Sequence, residues 1–319
     1  MKNFTISTPQ FYTDNAEFSD LATLCTDLWN RAMGDTFAIS SRVFAWQKQL
    51  SINTDRQLWL AKQGDTAIGF MLSSLAPATN SVHIDALVVV PEAQRQGVGR
   101  HLIDQLCATT KSAQAAFHSL QIGGGAESLL AGVPTASEAT DFFAHYGFRT
   151  QGTAIETQTS NVATYQPPAA LKELPAAVRP AQAGQQHELS SFLHSQPTPA
   201  HAHLERALHH GRRLSDLMVL WTAAGIQGIC QLGFEDSPLP IELSFPYPLP
   251  RPWAQIGTIA LHPELGDEYL ALLLDACLRR LHNTGVNSAV ITTALQQPIH
   301  EQFALEAYHS FHPMHMQLK

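Results

Sequence analysis

Residues 83–100, HIDALVVVPEAQRQGVGR, hold two groups of side chains whose types and spacing could do chemistry. The later group is Gln94-Arg95-Gln96-Gly97-Val98-Gly99-Arg100, a two-glycine turn that runs from a proline-terminated strand into an amphipathic helix. Glycines without a Cβ let the backbone approach a ligand closely, and the unpaired N–H groups of a first helical turn then point at it. Arg95 and Arg100 add positive charge where the helix dipole already favours an anion, so a phosphate or pyrophosphate is the natural guest. A purely structural glycine turn satisfies the same pattern. The nucleotide-binding GxxxxGK[ST] motif is absent, and GxGxxG fails because position 102 is leucine. The earlier group is His83-x-Asp85. Two apart on a strand, these side chains share a face ahead of the turn, as a proton-moving pair or as a solvated, salt-linked pair.

The elements that must position these groups follow from periodicity. Helical patterns cover about 15–33 and 39–50, and strands are expected near 56–62, 66–75 and 81–90. A helix follows from about 97 to 111, with Val98, Leu102, Ile103, Leu106 and Cys107 as its apolar stripe. A strand near 117–123, a loop at 123–134, a helix near 136–146 and a final pair of strands near 149–165 complete this half. The loop either lines the site or is a surface loop.

The chain also repeats itself. LWLAKQGDTAIGFML (58–72) matches VLWTAAGIQGICQL (219–232), and ALVVVPE (86–92) matches TIALHPE (258–264). The intervening segment 166–186 is rich in proline and alanine, as a linker would be. Two α/β domains are therefore expected, 1–168 and 169–319, each a mixed, mostly antiparallel sheet flanked by helices.

The order strand, Pro-Glu, Gln94-x-x-Gly97-x-Gly99, helix resembles the acetyl-CoA-binding [Q/R]xxGx[G/A] motif of the GNAT N-acyltransferase superfamily. FFAHYGF at 142–148 is similar to the same family's FYxxxGF signature. The resemblance covers residues 1–165 and, in weaker form, 175–319, a tandem GNAT arrangement. It implies acetyl-CoA as co-substrate, with its pyrophosphate on Gln94, Arg95, Gln96, Gly97, Val98, Gly99 and Arg100. The backbone of Leu87, Val88 and Val89 would pair with the pantetheine arm, and the Leu87 N–H would serve the thioester oxyanion. It further implies acetyl transfer to a small-molecule or peptide amine. Alkylamines are almost wholly protonated at neutral pH, so a base is required. His83 falls where related enzymes carry theirs, with Asp85 to orient it or take a proton through water. The alternative is an acyl-CoA-binding or interaction protein with weak or no turnover.

Two departures bear on that choice. The family's frequent tyrosine acid is replaced by Phe143, and Tyr146, three residues on, is either its substitute or a buried packing residue. In the second half Gln255 and Gly257 stand at the positions of His83 and Asp85, and ELGDEYLALLL replaces the glycine turn. Asp267 and Glu268 at that helix start would repel a pyrophosphate.

Composition bounds the rest. The chain is 45% apolar and 14% charged, with net charge −8. That disfavours nucleic-acid binding and mildly favours a cationic substrate. No secretion signal or membrane span is read, so a cytoplasmic location is expected. The four cysteines lack metal or disulfide spacing and read as buried free thiols. His309, His312 and His315 are spaced like ligands on a helix that Pro313 would interrupt, and no metal is expected. His201, His203, His209 and His210 read as solvated residues.

Overall fold

The computed structural model describes residues 4–9, 15–50, 56–76, 79–112, 117–123, 128–195, 204–205, 208, 213–238 and 240–318. His201, His203, His209 and His210 lie outside them. The chain forms two compact units, residues 1–155 with 310–319, and residues 156–309.

The first unit contains β1 (Thr5–Ser7), α1 (Asn15–Met33), α2 (Ser41–Leu50), β2 (Arg56–Gln63), β3 (Thr66–Ala76) and β4 (Ser81–Val89). It continues through α3 (Val98–Ser112), β5 (Ser119–Ile122), β6 (Val133–Pro134), α4 (Ala139–Tyr146) and β7 (Arg149–Thr150). The apolar stripe expected for α3 is its buried face: Val98, Leu102, Ile103 and Leu106 are at most 3% exposed. The strands following β7 are β8 (Ile155–Asn161), β9 (Ala177–Pro180), β10 (Leu217–Thr222), β11 (Gly225–Phe234), β12 (Trp253–Leu261), β13 (Ser288–Ile291), β14 (Glu306–His312) and β15 (Met314–Gln317). The helices of that stretch are α5 (Gln186–Ser195), α6 (Asp267–Asn283) and α7 (Gln297–Gln302).

The first sheet has the order β1-β2-β3-β4-β5-β15-β7. Its β4–β5 pair is parallel, and its other pairs are antiparallel. The second unit repeats the plan as β9-β10-β11-β12-β13-β8-β14, with β12–β13 parallel. In each sheet the sixth position is taken by a strand from the other half of the sequence. β15 pairs with β5 through Met314↔Ile122, and β8 pairs with β13 through Ala289↔Ser160.

This revises the expected boundary near 168 and the expectation that 149–165 completes the first half. Chain composition reports local stiffness, whereas strand membership is set by which edge offers unpaired hydrogen-bonding groups. The proline-rich segment is likewise part of the second unit: Tyr165, Leu171, Ala176 and Val178 pack into the core beneath α6. His309, His312 and His315 lie on strands rather than a helix. Among the described residues no group of three could hold a metal, and no helix is long and apolar enough to cross a membrane. None of the four cysteines is in a disulfide; Cys25, Cys230 and Cys277 are buried and Cys107 partly so.

Candidate active site

Two irregularities in β4 create the site. The β3–β4 register shifts between Leu72 and Ser73, which pair with Ala86 and Ile84, so Asp85 is the extra residue of a β-bulge. The parallel pairing with β5 runs from Ser81↔Ser119 only to Ile84↔Ile122. Beyond that point β4 diverges from β5, and residues 85–89 line a cavity of about 560 Å³.

The glycine turn forms the cavity's other wall. After Val89, Pro91–Ala93 makes a single 3-10 turn, in which Ala93 N–H donates to Val90 O (2.9 Å) and Gln94 N–H to Pro91 O (3.2 Å). The Gln94 side chain donates back to Val89 O (2.9 Å), fastening the turn to the end of β4, and Gln96 donates to Glu92 O (2.8 Å) within the 3-10 turn. Arg95 and Gly97 have φ of 59° and 86°, the left-handed region in which glycine is at ease and arginine is strained. A Cβ on Gly97 would meet nothing within 4 Å, so its backbone angle, not space, calls for glycine. A Cβ on Gly99 would lie 3.2 Å from the Phe142 ring, so there close packing does. His101 N–H donates to Gly97 O (3.0 Å), and the preceding N–H groups of the turn come ahead of the first helical bond. Gln94, Arg95, Gly97, Val98, Gly99 and Arg100 all line the cavity, and Phe142, Phe143, Trp29 and the 130–134 stretch close it.

The inner end is polar. Asp85 and Arg56 form an ion pair (3.3 Å), both side chains fully buried. Ser128 Oγ approaches the Asp85 carboxylate at 3.4 Å, and Leu129 N–H donates to Asp85 O (2.9 Å). Burial pushes the Asp85 carboxyl above its ordinary value, opposed by the Arg56 charge, the Ser74 hydroxyl and His83. Burial pushes the neighbouring His83 imidazole below 6.5, opposed by Asp85 and the Gly123 backbone. Its Nε2 lies 3.4 Å from Ser81 Oγ. The His83 ring is half-buried beside Asp85, and the cavity wall includes Asp85 but not His83.

Residues 17–126 match the family model of the Acetyltransferase (GNAT) family. No curated protein matches the chain by sequence. Among solved structures, a tandem GNAT protein from the clavulanic acid biosynthesis pathway superposes with a TM-score of 0.70 over 99% of both chains, at 14% identity. The chain is a tandem GNAT-fold protein. A GCN5-related glucosamine N-acetyltransferase region of a fungal multi-domain GH3 β-N-acetylglucosaminidase gives 0.79 over 99% of this chain, at 14% identity. The chain spans 38% of that fungal enzyme's length. A GCN5-related N-acetyltransferase from Sphaerobacter thermophilus gives 0.65 at 12% identity, over 99% of this chain and 96% of that one.

Of the residues anticipated around the donor, Leu87, Val88, Val89 and all of the turn from 94 to 100 except Gln96 line this one cavity, on its two walls. Gln96 sits in the turn with its side chain bound to Glu92 O. Tyr146 does not join them: its hydroxyl donates to Asp104 on α3 (2.6 Å), and it is not a cavity-lining residue. Phe143 is buried on the wall, edge-on to Phe142 and Phe148. Of the 123–134 loop, Gly123, Leu130, Gly132, Val133 and Pro134 line the cavity, and residues 124–127 are outside the described set. Sequence reading missed Arg56, Ser128, Trp29 and Phe142. Arg56 opens a strand and looks like a solvated rim residue until the β2–β3 register brings it beside Asp85.

Proposed function

We propose that the first unit binds acetyl-CoA and transfers its acetyl group to a primary amine, small-molecule or peptide. The observation that carries this is the single cavity joining the first turn of α3 to Asp85 along the diverging edge of β4. A helix N-terminus with two nearby arginines suits a pyrophosphate. The edge of β4 past Asp85, where pairing with β5 has ended, suits the amide-bearing pantetheine arm, which would add to it as another strand does. The thioester supplies the acyl group. The chain's own residues hold and orient it, with Leu87 N–H beside the developing oxyanion. His83, kept neutral by burial, takes the proton from the amine, and the buried Asp85–Arg56 pair fixes the field around it. Phe143 offers no proton to the leaving thiol, whose ordinary pKa near 8.5 makes its anion an adequate leaving group. Tyr146, held by Asp104, has a packing role.

The fungal region of similar fold is named for glucosamine, and that amine is the first acceptor to try. The test of the donor site is calorimetric titration of acetyl-CoA into the full chain, Gly99→Ala and Gly99→Glu. Micromolar binding is expected for the first, modestly weaker binding for Ala against the Phe142 ring, and none for Glu, whose carboxylate faces the anion. Binding that survives Gly99→Glu would make the turn structural and remove the donor site from this wall.

A further inference from the structure

The strand registers of the first unit align a row of polar side chains that the proposed donor site does not use. Across the sheet, Arg56 pairs with Ser74, Ser74 with His83, His83 with Gln121, Gln121 with His315, and His315 with Arg149. Paired residues share a face. Their neighbours Val82, Ile84, Leu120, Ile122 and Met314 point to the opposite face and are buried there. Three adjacent strands therefore present His83, Gln121 and His315 side by side. Both imidazoles are half-buried, and His315 Nδ1 is sealed from solvent with no hydrogen-bond partner among the described residues. A buried ring nitrogen without a partner is unfavourable unless something bonds to it.

We propose that His315, carried by the last strand of the chain, is an acceptor-binding residue of the first unit, and that His83, Gln121 and His315 form a platform for a hydroxylated primary amine of the amino-sugar class. This rests on the reading of His83 as the base. Two inter-strand spacings separate the His83 and His315 backbones, roughly 10 Å. An amine at His83 therefore leaves its hydroxyl or ring oxygens to face the Gln121 amide and the His315 imidazole. The platform itself carries no carboxylate, and Asp85 is occupied by Arg56, so nothing in the row selects a second cationic group. That favours a polyhydroxylated monoamine over a polyamine.

The test uses the full chain with acetyl-CoA, glucosamine as the hydroxylated amine and n-hexylamine as an amine that can engage only the His83 end. Wild type is expected to prefer glucosamine. His315→Ala is expected to lower the glucosamine-to-hexylamine ratio of kcat/KM about tenfold, the loss of one hydrogen bond, with the change in KM for glucosamine rather than kcat. His315→Asn, which keeps a donor and an acceptor, is expected to recover part of the ratio, and reads the effect even if the alanine variant folds poorly. Gln317→Ala, on the same strand and face but exposed, is expected to keep the wild-type ratio. An enzyme that binds acetyl-CoA yet acetylates both amines equally, or neither, overturns the platform and leaves the donor site standing. A His315 effect of equal size on both amines, or on kcat alone, also overturns it.

Discussion

His83 carries the proton-transfer step in this reading, and its environment fixes the sign of its pH dependence. Burial lowers the imidazole pKa from 6.5 more than Asp85 and the Gly123 backbone restore it, so the neutral, proton-accepting form dominates at pH 7. The rate kcat/KM should therefore carry an enzyme limb that rises with pH with its midpoint below 6.5, separate from the limb at higher pH that the amine's own ionisation contributes. His83→Gln should abolish that limb and lower kcat/KM by roughly 10²–10⁴-fold, the usual contribution of a positioned base. A pH–rate series on both proteins checks it, and a limb that persists in the glutamine variant would transfer the role to another group. Linkage gives the same shift a consequence for stability. The folded pKa is below the unfolded one, so His83's contribution is present above pH 6.5 and lost as pH falls through the folded value.

Among the elements, β15 matters most for its length. Its four residues pair with β5 on one side and β7 on the other, and Met314 is buried beneath them. Without it β5 loses its antiparallel neighbour, β7 loses its partner, and His315 leaves the platform. A fragment of residues 1–168 should accordingly fail to give a dispersed amide spectrum. Joining residues 310–319 to it through a flexible linker after β7 should restore one; a well-folded 1–168 fragment would show that the exchanged strand is dispensable. This exchange also marks where the sequence stopped being informative. Every element that bounds the donor site was legible to within a few residues, because α1, β3, β4 and α3 each carry their own periodicity or turn chemistry. The bulge at Asp85, the divergence of β4 from β5 and the arrival of Arg56 and His315 were not. Each depends on pairing register between strands, to which no single segment's pattern is sensitive. The face shared by His83 and Asp85 was inferred from alternation alone, whereas Asp85 is the bulged residue and keeps that face through its contacts with Arg56 and Ser74.

The whole molecule has two copies of one fold and, in the proposed reading, one donor site. The second unit keeps the irregular central strand: Cys230 pairs with Ile259 and Leu232 with Ile256, so Gly257 and Thr258 together face Gln231. It does not keep the anion cradle. The α6 helix starts from Gly266, with φ of −78° and no side-chain cap, in place of a left-handed glycine turn flanked by arginines. Asp267 and Glu268 occupy its first turn, and the Glu268 carboxylate folds over Gly266, 2.6 Å from where a Cβ would stand. Two carboxylates at a helix N-terminus already satisfy the dipole that the first unit leaves for a ligand, and they repel a pyrophosphate. Calorimetry on the full chain should thus give one acetyl-CoA bound per chain. Gly99→Glu should remove that single site, and Glu268→Gln should leave the stoichiometry at one, because Asp267 remains and no glycine turn is created. Two sites in wild type, or a residual site of similar affinity in Gly99→Glu, would assign donor binding to the second unit and require that α6 accept an anion despite its own carboxylates.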